Sequence, residues 1–272
     1  MRIVIPTYKR AGLMKTHLHI PAEFHKDIIL VVREFEHQLY LQHYPTFDYF
    51  VIPDDTDGLP ATRQLIMDKF KDETYWVFDD DLVFFHVSPN PGSGTKFIKR
   101  FMTSEDWKQA FVEVEKAILN GYSFGGFRLH GSIPLLAEFS YNKRITTNQW
   151  WHGPSIPSGI DCTRVRYAED LDIIFQLIAK GCQNMVFNYC SASNASRGAL
   201  IGGCKDQRTN ISHNDSSKLL QQLWPNFVTI DSYINEINPL YEKGKEVLRV
   251  TCYYDKARKH YLQSLPTTLF GE

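Results

Sequence analysis

Along the first eighty residues, short apolar runs rich in β-formers alternate with segments of helical spacing. Arg2–Ile5 reads as a strand that stops at Pro6, and Asp27–Val32 (DIILVV) is a continuous apolar run. Such runs mark strands buried on both faces. Tyr49–Ile52 (YFVI) ends at Pro53, and Thr74–Phe78 (TYWVF) opens onto Asp79-Asp80-Asp81. Helices are predicted between them at Leu13–His19, Glu34–His43 and Pro60–Phe70. The last carries Pro60 near its first turn, where the missing N–H costs nothing. This alternation predicts an α/β fold, a mostly parallel Rossmann-like sheet with helices on both faces. Ligands of such sheets bind at the carboxyl ends of the strands.

Beyond residue 85 the pattern is less regular. Val87–Thr95 reads as a loop from its Pro, Gly and Ser content. Ser104 is the expected cap of a helix over Glu105–Leu119. Tyr122–Arg128 reads as a strand interrupted by Gly125-Gly126, and Asn148–Ser158 as a turn-rich aromatic patch. An amphipathic helix is expected over Glu169–Lys180, stopped by Gly181. A strand over Met185–Cys190, a Gly- and Ser-rich loop over Ser191–Thr209 and a helix over Ser212–Leu223 follow. Tyr241–Glu272 mixes tyrosines with clustered Lys and Arg, among them Lys256, Arg258 and Lys259. No repeat, low-complexity tract or linker divides the 272 residues, so one domain is expected.

Composition narrows the class. Hydrophobic residues are 43% of the chain, enough for a full core, and the formal net charge of -1 argues against a uniformly basic nucleic-acid binder. Five cysteines, an odd number with no C-x-x-C pair, point to core thiols rather than a disulfide framework or zinc site. No apolar run approaches the ~18 residues of a membrane span. A cytoplasmic location is expected.

The sharpest chemistry is Asp79-Asp80-Asp81 at the end of the fourth apolar strand. Strand alternation would point Asp79 and Asp81 to one side and Asp80 to the other. Two carboxylates on one side suit Mg²⁺ or Mn²⁺ and leave positions for phosphate oxygens. The plainer alternative is a solvated acidic turn, yet three adjacent like charges repel one another without a cation.

At these residues the chain resembles GT-A fold glycosyltransferases. Ile3-Val4-Ile5-Pro6-Thr7-Tyr8 is similar to their opening strand and nucleotide loop, and Val31-Val32-Arg33-Glu34 to the end of their second strand. Gly58-Leu59-Pro60-Ala61-Thr62-Arg63 resembles the segment ahead of their D-x-D motif, which Asp79-Asp80-Asp81 matches. Tyr167-Ala168-Glu169-Asp170-Leu171-Asp172 is similar to their ED motif, and His213 is placed like a late metal-binding histidine. The resemblance spans roughly residues 1–215. Within the fold, the I-P-T start, G-L-P-A-T-R, the triple Asp and Gly202-Gly203…Arg208-Thr209 resemble the phage-type glycosyltransferases associated with TET/JBP base hydroxylases. That resemblance implies a UDP-sugar donor, a Mn²⁺ or Mg²⁺ cofactor, and hydroxymethylated pyrimidine in DNA as acceptor. It also divides the chain into a nucleotide-binding half (1–85), an acceptor-binding half (86–240) and a tail (241–272).

Roles follow from both readings. Asp79, Asp81 and His213 are the expected metal ligands. Thr7, Tyr8, Arg10, Arg33, Asp55, Arg63, Asp80, Lys205 and Arg208 are the expected donor contacts, the last two from a loop able to close over the diphosphate. Asp170, ahead of Glu169, is the expected general base of an inverting displacement, while Asp172 is expected to be structural. Trp150, Trp151 and His152 are candidates for stacking an extruded base, against the default of core packing. Arg164 and Arg166 are candidates for acceptor phosphates. A saccharide or other acceptor on the same fold, a nucleotidyltransferase, and a non-catalytic nucleic-acid binder are the rivals.

Overall fold

The computed structural model describes residues 1–90, 97–129, 136–194, 209–238 and 241–265. The chain begins with β1 (Arg2–Pro6), β2 (Ile28–Arg33), α1 (Glu34–His43), β3 (Asp48–Ile52), α2 (Gly58–Lys69) and β4 (Thr74–Phe78). There follow β5 (Leu82–Pro89), β6 (Phe97–Phe101), α3 (Ser104–Leu119), β7 (Phe124–Leu129), β8 (Phe139–Tyr141) and β9 (Asn148–His152). Then come α4 (Glu169–Ala179), β10 (Asn184–Asn194), α5 (Asn210–Leu223), β11 (Val228–Ile234), β12 (Glu246–Cys252) and α6 (Tyr254–Ser264).

Ten strands form one sheet in the order β3-β2-β1-β4-β9-β7-β10-β5-β6, with β8 beside β10. The pairings set β1–β4, β6, β7 and β10 in one direction and β5, β8 and β9 in the other. The expected parallel alternation is the block β3-β2-β1-β4; the antiparallel strands, β5, β8 and β9, all follow it in the chain.

Alternating side chains feed two cores. Ile3, Ile5, Leu30, Trp76 and Phe78 pack with Tyr40 of α1 and Trp107, Ala110 and Val114 of α3. Val4, Val31, Tyr75 and Val77 pack with Ile66 of α2, most of α4, Leu220 of α5 and Tyr254 of α6. Burial on both faces is why these strands read as unbroken apolar runs. The stretch expected to be a tail holds β12 and α6, and Tyr254 lies with its ring 4.4 Å from that of Phe175 in α4.

Several expectations shift. Leu13–His19 holds only a short 3-10 turn, Thr16–His19, because Thr16 bonds to the turn after β4 instead of continuing a helix. Thr103, not Ser104, caps α3, in a capping box with Asp106. The aromatic patch at Asn148–His152 is a central strand, β9, between β4 and β7. β5 and β6 carry no strand signal in the sequence: β5 is buried on one face and runs into the segment read as loop, and β6 is exposed along most of its length. Gly125 in β7 reflects close packing: a Cβ there would meet the Met185 carbonyl at 2.1 Å and the Trp150 indole at 2.4 Å.

Candidate active site

The four parallel strands end side by side, and the chain leaving each end builds one cleft of about 920 Å³, counting space open to solvent. Pro6, Thr7, Tyr8 and Arg10 follow β1; Val31 and Arg33 close β2; Ile52 closes β3. Gly58, Leu59 and Thr62 bring the N-terminus of α2 to the wall, and Asp79, Asp80 and Asp81 form the floor beside Asn194. This is the strand edge at which the alternation predicted a ligand.

The loop after β1 is pinned from α1. Glu36 accepts from the Lys9 amide at 2.7 Å, and Lys9 adopts a positive φ of 56°. The Tyr40 hydroxyl accepts from the Arg10 amide at 3.0 Å and lies 2.9 Å from the Thr7 hydroxyl. So held, Thr7 donates to Asp80 Oδ2 at 2.6 Å, and Arg10 bonds the other Asp80 oxygen. Glu36 and Tyr40 were not singled out from sequence. Their signal is a spacing of four on one helix face, which an ordinary packing pair shares.

The aspartates lie in the turn after β4, not on the strand, so alternation does not govern them. Each meets a different neighbour. Asp80 is consumed by Thr7 and Arg10, which makes it a brace of the loop. Asp81 accepts from Asn194 at 2.8 Å and lies 3.6 Å from Arg10. Asn194 arrives because β10 pairs antiparallel with β5, placing Asn194 opposite Leu82. No local pattern signals that, since the residue falls in a segment read as loop. Asp79 lies 3.7 Å from Arg63, with its side chain 27% exposed. Burial pushes the Asp79 carboxyl up to about 8; Arg63 opposes this, while Asp81, Asp80 and Glu169 add to it.

The charge balance is uneven. Four carboxylates, Asp79, Asp80, Asp81 and Glu169, face two guanidiniums, Arg10 and Arg63. Acids outnumber the guanidiniums that touch them in a largely buried site, and Asp79 is pushed up in consequence of burial and of its acidic neighbours. A divalent cation on hard oxygen donors would take the place of a proton there and offset the crowding. Among the described residues no three His, Cys, Asp or Glu side chains converge on one point, so Asp79 and Asp81 are the protein donors on offer.

Other expected residues fall elsewhere. Arg63 does not line the cleft: it is 8% exposed and holds Glu169 at 3.2 Å and Gln149 at 3.2 Å. A nucleotide contact by Arg63 is therefore corrected. Asp55 is exposed in the β3–α2 turn, outside the cleft lining. Trp150 and Trp151 are 0% and 3% exposed, so they are core and no platform for a base. His152 bonds the Thr74 hydroxyl at the opposite end of β4 from the aspartates, because β9 runs antiparallel to β4. His213 faces the Leu248 carbonyl at 3.0 Å and the Tyr241 ring, on α5 rather than at the aspartates. Arg164 pairs with Asp172 at 3.4 Å and lies over Trp224. Arg166 pairs with Asp57 at 3.0 Å, beside the start of α2. Asp170, also outside the cleft lining, is half-buried at the first turn of α4 and accepts from the Leu171 amide at 3.0 Å. Tyr8 and Arg33 do stand in the cleft, the guanidinium 4.9 Å over the ring. Lys205 and Arg208 lie outside the described residues.

Residues 1–197 match the family model described as TET-Associated Glycosyltransferase. The chain belongs to the TET-associated glycosyltransferase family. As a TET-associated glycosyltransferase it carries its cleft within the matched region, while α5, β11, β12 and α6 lie beyond it. Among curated proteins it is similar to the beta-glucosyl-HMC-alpha-glucosyl-transferases of Enterobacteria phages T2 and T6. Each is 25% identical over 236 residues, covering 83% of this chain and 81% of the relative. Among solved structures it matches S. aureus TarS 1-349 in complex with UDP-GlcNAc at 11% identity and TM-score 0.47, covering 81% of this chain and 67% of that one. It also matches glucosyl-3-phosphoglycerate synthase of Mycobacterium tuberculosis at 8% identity and TM-score 0.48, covering 85% and 82%. Among the described residues no helix is long and apolar enough to cross a membrane.

Proposed function

We propose that this glycosyltransferase moves a sugar from a UDP-sugar to a hydroxymethylated pyrimidine in DNA, within a GT-A fold, with Asp79 and Asp81 holding Mn²⁺ or Mg²⁺. The observation that carries the cation site is the gathering of three carboxyl groups, Asp79, Asp80 and Asp81, on the cleft floor beside Arg10. The cation, when bound, neutralises the charge that builds on the departing diphosphate. Tyr8, braced by Arg33 and Phe35, offers a face for the nucleobase between Val31 and Ile52. The N-terminus of α2 at the wall favours phosphate charge.

On the acceptor side Asp170 accepts the proton of the attacking hydroxyl. Glu169, its neighbour, is engaged by Arg63 and leaves Asp170 as the carboxylate for that task. The hydroxymethylated acceptor is supported by the phage relatives, whose names state beta-glucosyl-HMC. Arg166, exposed and paired with Asp57 beside the start of α2, is the candidate phosphate contact.

Attack opposite the departing UDP would invert the anomeric carbon. The relatives' names favour a second reading, in which an alpha linkage is made onto a base that already bears a glucose. One experiment separates these. The protein is incubated with Mn²⁺, a panel of UDP-sugars, and either oligosaccharides or DNA bearing unmodified, hydroxymethylated or β-glucosylated hydroxymethylated pyrimidines. UDP release, nucleoside mass and the anomeric proton coupling of the product are read. Release with hydroxymethylated DNA and a β product supports inversion on the bare base. Release only with glucosylated DNA and an α product moves the assignment to the second reading. Release on oligosaccharides but on no DNA would refute both.

A further inference from the structure

We propose that Arg63 is a positioning residue: its single buried guanidinium ties the aspartate turn after β4 to the first turn of α4 and so sets the spacing between donor and acceptor chemistry. The inference rests on the proposed glycosyl transfer and assigns Arg63 a task distinct from the nucleotide contact expected from sequence.

Arg63 rises from the second turn of α2, underneath the cleft. Its Nε donates to Glu169 Oε1 at 3.2 Å, its Nη1 donates to Gln149 Oε1 at 3.2 Å, and its Nη2 lies 3.7 Å from Asp79 Oδ1. Three segments remote in sequence meet on one rigid plane. Gln149 is itself oriented, since its amide nitrogen donates to the Ile145 carbonyl at 3.2 Å and turns its oxygen to Arg63. Gln149 stands opposite Val77 in the β4–β9 register, two residues before Asp79. Glu169 opens α4, so moving its carboxylate moves Asp170 beside it. A planar fork with donors on three sides fixes angles as well as distances; a lysine ammonium in its place would keep the charge and lose the angles.

The test uses the full chain and four variants: Arg63→Lys, Glu169→Ala, Glu169→Gln and the double Arg63→Lys/Glu169→Ala. Arg63→Lys and Glu169→Ala are each expected to lower kcat on the order of 100-fold, the scale of a misplaced reacting group. Their thermal midpoints, followed by calorimetry, serve as the check on folding. Glu169→Gln keeps an oxygen that can accept from Nε and is expected to retain kcat within about fivefold of wild type. The double variant is expected to be no slower than the poorer single, since both changes cut the same tie. Mn²⁺–UDP affinity, measured by titration calorimetry without acceptor, should stay within about threefold in both Glu169 variants.

A Glu169→Gln variant as slow as Glu169→Ala would instead give Glu169 a proton-transfer role and overturn the proposal. So would losses that multiply in the double variant, or turnover that falls only in step with the midpoint. Should Arg63→Lys or Glu169→Ala fail to fold, Glu169→Asp, which keeps the charge but falls one methylene short, takes its place under the same criteria. Wild-type turnover is the control: without it the proposed glycosyl transfer fails and takes this proposal with it, whereas with it a fast Glu169→Ala sinks the Arg63 assignment alone.

Discussion

On the β1–β3 side of the cleft, Tyr8, Arg10 and Arg33 leave the strand ends and line open space. On the β9–α4 side, side chains of the same chemical kinds are turned inward. Trp150 and Trp151 are core, Arg63 holds Glu169 and Gln149, and Arg164 joins Trp224 around the buried Asp172. Aromatic and cationic residues beside a carboxylate motif look alike in sequence on both sides. The difference is strand direction. β1, β2 and β3 run toward the aspartates and bring the residues at their carboxyl ends to the cleft, whereas β9 runs away and carries its aromatic residues into the core. A motif's neighbours in sequence are therefore its neighbours in space only where the strand ends at the site.

This contrast can be broken or sharpened by measurement. The largest effect is expected at the floor. Asp81→Ala should reduce Mn²⁺-dependent kcat/KM on the order of 10³-fold or more, because charge on the departing group loses its counter-ion. Its urea midpoint should stay close to wild type; unchanged turnover would remove the metal assignment. Next comes the packed side. Trp151→Ala should cost about 3 kcal/mol or more in urea unfolding, as expected for a large core side chain. At temperatures where it is folded, its KM for DNA should stay near wild type. A selective rise in that KM would restore the stacking role and erase the contrast.

The open side gives a smaller, more specific effect. Tyr8→Ala should weaken UDP binding by about tenfold, the scale of a lost ring contact, and leave stability nearly unchanged. Equal losses in donor and acceptor affinity would show that Tyr8 does not belong to one side.

The smallest effect lies outside the cleft and serves as a control for both sides. Asp106 completes the capping box of α3 with Thr103 and binds Arg100. Burial raises its carboxyl, but Arg100 together with the Thr103 amide and hydroxyl outweigh this and hold it down at about 2. The folded value is thus below the ordinary 3.8. Stability from this group is present above that ordinary value and is lost as the pH falls through about 2. Wild type should therefore lose about 1 kcal/mol more than Asp106→Asn between pH 5 and pH 2 in urea titrations, the half-exposed Arg100 keeping the figure small. Donor affinity at neutral pH should be equal in the two.

Much of the first half was legible. Thr74–Phe78 and Glu34–His43 are observed with the bounds the pattern predicts, and Asp79 and Asp81 do lie at the carboxyl edge of a parallel block. The second half was less so. β9 reads as a turn-rich patch because its two adjacent tryptophans are flanked by polar residues with no apolar run, and β5 and β6 hide beside proline and glycine. Within the site, Asn194 and Gln149 carried no local signal at all. Their roles come from an antiparallel register more than a hundred residues from Asp81 in one case and seventy from Asp79 in the other.

The sequence by itself determined the parallel block, since continuous apolar strands can be buried only with helices on both faces. It also determined that carboxylates would crowd the end of the fourth strand, because chain order alone puts them there. Tertiary structure decided how the three aspartates divide their work. Asp80 is a brace, and Asp79 and Asp81 keep their outer faces toward the cleft, according to which of Thr7, Arg10, Arg63 and Asn194 lies beside each carboxylate. Those partners come from separate parts of the chain. Hydrogen bonds and ion pairs act over a few ångströms of space whatever the separation along the chain.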